Sequence, residues 1–255
     1  MGKPDSFYRK QKVKSQFILV GGAPSKLLDQ NPGGQLTASI GLSQYAKSAG
    51  YNLDIIDTTQ SSFPVPPFTK RLFKGLQRIK ALRGKLSKEK IDGLIVFSCT
   101  GFSFYERTLM CLIARFYDVK SLFFLRDGYF LKSVKNSLFT FHITKLFLKL
   151  PSIIGAQGNN WVDIFKSLDV PEEKIVTVRN WLSLDFPVST KVKSASKLNR
   201  LRFVFVGWLV TDKGVTELLQ AANQLLNDYD FELIFVGDGT LKNEIEKDIK
   251  YNSNE

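Results

Sequence analysis

A chain of 255 residues and 28.9 kDa, 44% of it apolar, is long enough for one large or two modest globular domains and excludes a fibrous or wholly disordered protein. The net charge of +12 and a pI near 9.6 point to an anionic partner, whether phosphate, nucleic acid or an acidic lipid surface. Two cysteines, Cys99 and Cys111, are too few for a disulfide framework or a zinc cluster and fit a reducing cytoplasm.

Residues 1–16 read as a basic N-terminal tail without the apolar core of a signal peptide, and no stretch is apolar for long enough to cross a bilayer. From Phe17, "FILVGGAP" reads as a buried strand emptying into glycines. The loop continues through "NPGGQ", and a helix is expected from Leu36 to Ala49 before the strand "YNLDIIDT". Strand, glycine-rich loop, helix and strand within about forty residues form a βαβ unit with a right-handed crossover.

A basic helix follows. In "TKRLFKGLQRIKALRGKLSKEK", Leu72, Leu76, Ile79 and Leu86 are expected along one face, with Lys70, Arg71, Lys74, Arg78, Arg83 and Lys85 crowding the rest. Strands are expected at "IDGLIVFS", "KSLFFLRD" and "SIIGAQ", with a helix from Tyr105 to Tyr117 after the first of them. The intervening "KNSLFTFHITKLFLKL" reads as a helix that sets Phe139, Ile143, Leu146 and Phe147 against Lys135, His142, Lys145 and Lys149. "WVDIFKSLDV" is helical, and "VPEEKIVTVRN" feeds a last short strand. Alternation of this kind predicts an α/β sheet covered on both faces, over a first domain of residues 17–182.

The Ser-, Lys- and Pro-rich stretch 183–200 reads as a linker. After it the rhythm restarts over 201–255: "LRFVFVGW" as a strand, Val215 to Asn227 as a helix, "FELIFVGDG" as a strand, and a helix from Leu241 to Lys250. Two parallel strands leave apolar faces that more strands and helices would bury, so this second unit is expected to be marginal alone.

Two Rossmann-like domains in tandem, with "FVGWLVTDKGVTELLQAANQLL" opening the second and "ELIFVGDGTLKNEIEK" following, resemble the family 4 glycosyltransferases of the GT-B fold. In that family a strand ends in Gly-Arg-Leu, a Lys-Gly pair opens the next helix, and the next strand ends in Val-Gly-x-Gly. Gly207, Leu209, Lys213, Gly214, Val236, Gly237 and Gly239 stand in those places, and Trp208 takes the place of the arginine. "GGAPSKLLDQNPGGQ" is similar to the family's N-terminal glycine loop, with Gly33 and Gly34 as its paired glycines, and Asn180 matches the asparagine of its Pro-Asn-Gly element. The family's two glutamates separated by seven residues are expected downstream of Glu255.

The resemblance implies an α/β chain of GT-B type whose second Rossmann-like domain is incomplete. It implies a retaining hexosyltransferase that moves a hexose from a nucleotide-diphosphate sugar to a lipid-linked or polysaccharide acceptor in cell-surface glycan biosynthesis. No metal or other cofactor is implied. Lys213 would be the catalytic cation that stabilises charge growing on the leaving diphosphate, with Gly207, Gly214, Gly33 and Gly34 also at the donor phosphates. Elementary chemistry agrees: a helix N-terminus offers unpaired N–H groups to an anion, and a glycine before it allows close approach.

Arg126 and Asp127 end a strand where the family has a His-Gly element facing the cleft between domains; they either bind the acceptor there or form a structural turn. "DYD" at Asp228 to Asp230 spells a metal-binding pattern but precedes a strand, where aspartate serves turns. The two basic helices suit an anionic membrane surface, which would make the protein cytoplasmic and peripheral on the inner face, or they are core-facing helices with solvated lysines. No nucleic-acid recognition signature is present. The alternative is a non-catalytic or split-enzyme acceptor domain, docked on the membrane or on a second chain that supplies the missing donor half.

Overall fold

The computed structural model describes residues 15–23, 34–59, 66–182 and 201–252. The expected linker, most of the basic tail and Gly33 lie outside these residues, although Gln16, expected as the last tail residue, already begins the first strand. The chain divides into two compact units between Pro187 and Val188.

In the first unit, β1 (Gln16–Gly21), β2 (Asn52–Asp57), β3 (Gly93–Ser98), β4 (Ser121–Leu125), β5 (Ile153–Ala156) and β6 (Ile175–Thr177) form one parallel sheet in the order β2-β1-β3-β4-β5-β6. Near-continuous apolar runs such as "LIVF" in β3 suit strands covered on both faces. Gly155 in β5 makes room for a ring: a Cβ there would lie 2.2 Å from Cε1 of Phe124 on β4.

The helices are α1 (Gly34–Ala49), α2 (Phe68–Lys88), α3 (Phe102–Phe116), α4 (Phe130–Lys135), α5 (Leu138–Leu148) and α6 (Asn159–Ser167). The one helix expected between β4 and β5 is two, because Ser137 interrupts it in an extended conformation and caps α5. One face of the sheet packs Ile18, Val20, Leu94, Val96 and Phe123 against Leu82, Met110, Leu148 and Phe165 of α2, α3, α5 and α6. The other face, with Leu19, Phe97 and Phe124, meets α1 and the segment carrying Val178 and Trp181. Because the chain steps from β1 out to β2 and then back past β1 to β3, the crossover direction reverses between β1 and β3.

Both basic helices face otherwise than their periodicity suggests. In α2 the inward residues are Gly75, Leu82 and Leu86 with Ile79 partly buried, whereas Leu72 and Leu76 are exposed. Gly75 is the reason. A Cβ there would stand 3.3 Å from the Phe102 ring of α3, so the side without a side chain is the one that seats. In α5, Thr144 and Leu148 point inward with Phe141 and Phe147 beside them, and Phe139 and Leu146 point out.

In the second unit, β7 (Leu201–Val206) and β8 (Phe231–Val236) pair in parallel, with α7 (Val215–Leu225) after β7 and α8 (Lys242–Asn252) after β8. Phe205 and Phe235 pack with Leu209, Val215, Leu219 and Ile245 into a small core. Val204, Val206 and Val236, of opposite parity on the strands, are exposed, Val206 to 74%.

Candidate functional site

Two sheet edges carry the candidate residues. In the second unit the carboxyl ends of β7 and β8 are drawn together backbone against backbone. Gly207 N donates to Val236 O at 3.1 Å, Leu209 N to Asp238 O at 2.8 Å, and Leu241 N to Leu209 O at 3.0 Å. The glycines make that approach possible, since a Cβ on Gly237 would lie 1.8 Å from Gly207 O and one on Gly239 would lie 2.3 Å from Leu209 O. Gly237 and Gly239 therefore have a structural duty of their own, whereas a Cβ on Gly207 would meet only the Phe205 ring at 3.6 Å.

Beyond Leu209 the chain makes a 3-10 turn, Thr211–Lys213, and enters α7 through Gly214 in the left-handed conformation (φ +75°). A residue with a Cβ is strained there, which explains the Lys-Gly order. Lys213 is exposed, one residue ahead of the N-terminus of α7. Its ammonium is thus free to swing over the uncapped turn, where the helix dipole adds a partial positive charge. Trp208 is half-buried beside this edge. "DYD" lies in the turn between α7 and β8.

In the first unit the carboxyl edge is tied by carboxylates that receive backbone N–H groups. Asp57 Oδ1 accepts from Ala23 N at 3.1 Å and from Thr59 N at 2.8 Å. Asp127 accepts from Thr100 N at 2.8 Å and from Tyr129 N at 3.0 Å, which links the ends of β3 and β4. Arg126 lies over the Phe97 and Trp181 rings, 5.4 and 5.2 Å from their centroids, and its Nη2 donates to Asn180 Oδ1 at 3.0 Å. Burial lowers its pKa, and its buried Nη1 has no hydrogen-bond partner.

Gly34 is the first residue of α1, and a Cβ on it would meet nothing within 4 Å. Packing does not demand glycine there. Gly21 and Gly22 are the ones pressed by α1, against Ser39 Oγ and Leu36 Cδ1, each 3.0 Å from the added Cβ.

Sequence reasoning passed over four contributors to this edge. Gln35 donates to Cys99 Sγ at 2.9 Å from the start of α1, and Trp181 Nε1 donates to Ala38 O at 3.0 Å. Arg107, on α3, is buried with its Nη1 donating to Phe97 O, and desolvation lowers its pKa to about 10. Arg179 lines a polar cleft of about 470 Å³ with Gln157, Asn159, Asn160, Trp161 and Thr177, where β5 and β6 end and α6 begins. The only available signal was Arg107 itself, a cation among the apolar residues of "ERTLMCLIARF".

The architecture is of the GT-B type, an α/β chain of Rossmann-like units, the second holding two strands among the described residues. No protein-family model and no curated protein sequence matches the chain. Solved structures do. The apo form of the lipopolysaccharide outer core galactosyltransferase WaaB superposes with a TM-score of 0.54 at 11% identity, over 93% of this chain and 64% of that one. Anabaena Alr3699/HepE in complex with UDP-glucose gives 0.57 at 13% identity, over 92% and 65%. An E. coli structure of trehalose-6-phosphate bound with UDP-2-fluoro glucose gives 0.53 at 14%, over 93% and 69%. The chain thus spans less than two thirds of the length of the first two neighbours.

Proposed function

We propose that this chain carries the acceptor domain and the opening of the donor domain of a nucleotide-sugar-dependent hexosyltransferase of the family 4 type. The observation that carries the reading is the turn Thr211–Lys213, which sets an exposed lysine and a left-handed glycine at the N-terminus of α7 beside glycine-braced strand ends. Such a turn can seat a diphosphate through backbone N–H groups and one mobile cation. In the reaction the bond from the sugar C1 to the diphosphate oxygen breaks, the acceptor oxygen bonds to C1, and the acceptor proton leaves. Configuration at C1 is retained on this reading. Lys213 stabilises the charge gathered by the departing diphosphate, and Gly207, Gly214, Gly33 and Gly34 let the backbone approach the phosphates. That HepE was solved with UDP-glucose makes UDP-glucose the first donor to try.

The acceptor is lipid-linked or a polysaccharide and belongs to the first unit. Arg126 and Asp127 stand at the carboxyl edge that would receive it, and Asp127 positions the strand ends. The protein works at the inner face of the membrane as a peripheral protein; among the described residues no helix is long and apolar enough to cross a bilayer. The test is transfer from UDP-glucose to a lipid or glycan acceptor extract by the full-length protein. Lys213→Ala is expected to lower kcat by about a hundredfold or more without changing unfolding, because the side chain is exposed. Unchanged turnover in that variant rejects the assignment.

The exposed apolar face of β7 and β8 supports a second reading, a docking module completed by another polypeptide. On that reading the chain binds no UDP by calorimetry until the partner is added.

A further inference from the structure

Four of the residues that periodicity assigns to the core of α2 and α5, Leu72, Leu76, Phe139 and Leu146, lie instead on the outside, and they lie beside a concentration of cations. Helix α2 carries eight lysines and arginines and no acidic residue. Its first nine residues expose Phe68 (60%), Leu72, Phe73 (62%) and Leu76. Helix α5 exposes Leu138 (80%), Phe139 (75%) and Leu146, with Lys132, Lys135 and Lys149 exposed nearby. Both helices pack on α3, on the same face of the sheet, so their outer sides form one surface.

The topology also fixes which end of that surface is apolar. The Phe68 ring contacts Phe102, the first residue of α3, at 5.5 Å between centroids, and Phe102 follows the carboxyl end of β3. The far end of α5 leads into Ser152, which pairs with Ser121 at the amino end of β4. Phe68, Phe73, Leu138 and Phe139 therefore gather toward the carboxyl edge, where Arg126 and Asp127 sit.

We infer that the outer face of the α2–α3–α5 layer docks on an anionic lipid bilayer, with Phe68, Phe73, Leu138 and Phe139 entering the interface and the flanking lysines and arginines holding headgroup phosphates. A protein partner is the poorer match, because lysine is depleted at protein interfaces, whereas interfacial helices combine Phe and Leu on one side with Lys and Arg on the other. A nucleic acid strand would use the cations and the phenylalanine rings but would leave the aliphatic Leu72, Leu76 and Leu138 unused. Docking in this orientation brings the acceptor edge against the membrane surface. The inference rests on the membrane-peripheral part of the proposed function and not on its donor chemistry.

The experiment is flotation of the full chain with vesicles of mixed phosphatidylglycerol and phosphatidylcholine, against pure phosphatidylcholine. The expected result is partition to the anionic vesicles that declines with added salt. A variant carrying Phe68→Ser, Phe73→Ser, Leu138→Ser and Phe139→Ser is expected to bind about tenfold or more weakly with unchanged circular dichroism and unfolding midpoint. Equal binding to neutral vesicles, unaltered binding of the variant, or a wild-type chain that ignores vesicles and instead dimerises or binds RNA through this patch would each overturn it. Lys213→Ala should float like the wild type, so loss of transfer in that variant bears on the donor chemistry alone.

Discussion

Arg126 Nη2 donates to Asn180 Oδ1 at 3.0 Å, so that the end of β4 and the chain beyond β6 are held by one guanidinium stacked over Phe97 and Trp181. Two cation–π contacts and a hydrogen bond at a half-buried site together stabilise the first unit by about 2 kcal/mol. Arg126→Ala is expected to lose that much in urea unfolding. Arg126→Lys should recover little, since an ammonium lacks the planar fork that stacks and bonds at once. An unchanged midpoint for the alanine variant would show that the brace carries no stability.

The glycines of the second unit and the first glycine of α1 should separate cleanly. Gly237→Ala forces a Cβ onto Gly207 O and is expected to cost on the order of 3 kcal/mol, read as loss of the second unit's unfolding transition. Gly34→Ala meets open space and should leave stability level or slightly raised. If Gly34→Ala nevertheless weakens nucleotide binding in calorimetry, its role is approach to a ligand; if not, the paired-glycine assignment at this position falls.

The alternation of strands and helices, the placement of nearly every strand and the helix start after Lys213 and Gly214 were legible because they rest on local signals: apolar runs, glycine punctuation and helix starts. The order of the strands in the sheet was not, because it is set by pairing between distant segments. Nor were the inward faces of α2 and α5. In α2 the sets 72, 76, 79, 86 and 75, 79, 82, 86 fit a helical stripe almost equally, and Gly75, the residue that selects between them, carries no hydrophobic signal. Trp181 was passed over for another reason: its hydrogen bond to Ala38 spans 143 residues, beyond anything periodicity can read.

Glu106 and Arg78 form a two-pronged ion pair at 2.7 and 2.9 Å between α3 and α2, with only 2% of the Glu106 side chain exposed. Glu106→Ala leaves the guanidinium without its partner and should destabilise by about 3 kcal/mol, whereas Glu106→Leu with Arg78→Met should recover most of the loss. A double-mutant cycle in guanidinium chloride measures both; a coupling near zero would contradict the geometry.

The two thiols should differ in reactivity and in their effect on alkaline stability. Complete burial pushes the Cys111 thiol up to about 12, and burial also raises that of half-buried Cys99. In native protein an aromatic disulfide reagent should label Cys99 slowly and Cys111 only on unfolding. Unfolded Cys111 ionises near pH 8.5, so between there and pH 12 the unfolded chain sheds the proton that the folded chain keeps. Stability is whole below that window and falls as pH rises through it. Cys111→Ala should flatten the slope between pH 9 and pH 10, as read from thermal unfolding.

The latch between Trp181 and Ala38 has a mechanical consequence. The chain beyond β6 passes through a half-buried ring beside α1, against Phe97 and Phe124, so tension applied beyond Leu182 bears on α1 as well as on the strands that carry those rings. That helix begins with Gly34 and carries Gln35 toward Cys99. A pull at the exit would reach the sheet edge where the acceptor is proposed to bind, and with Trp161 and Trp208 replaced by phenylalanine the emission of the Trp181 indole would report it.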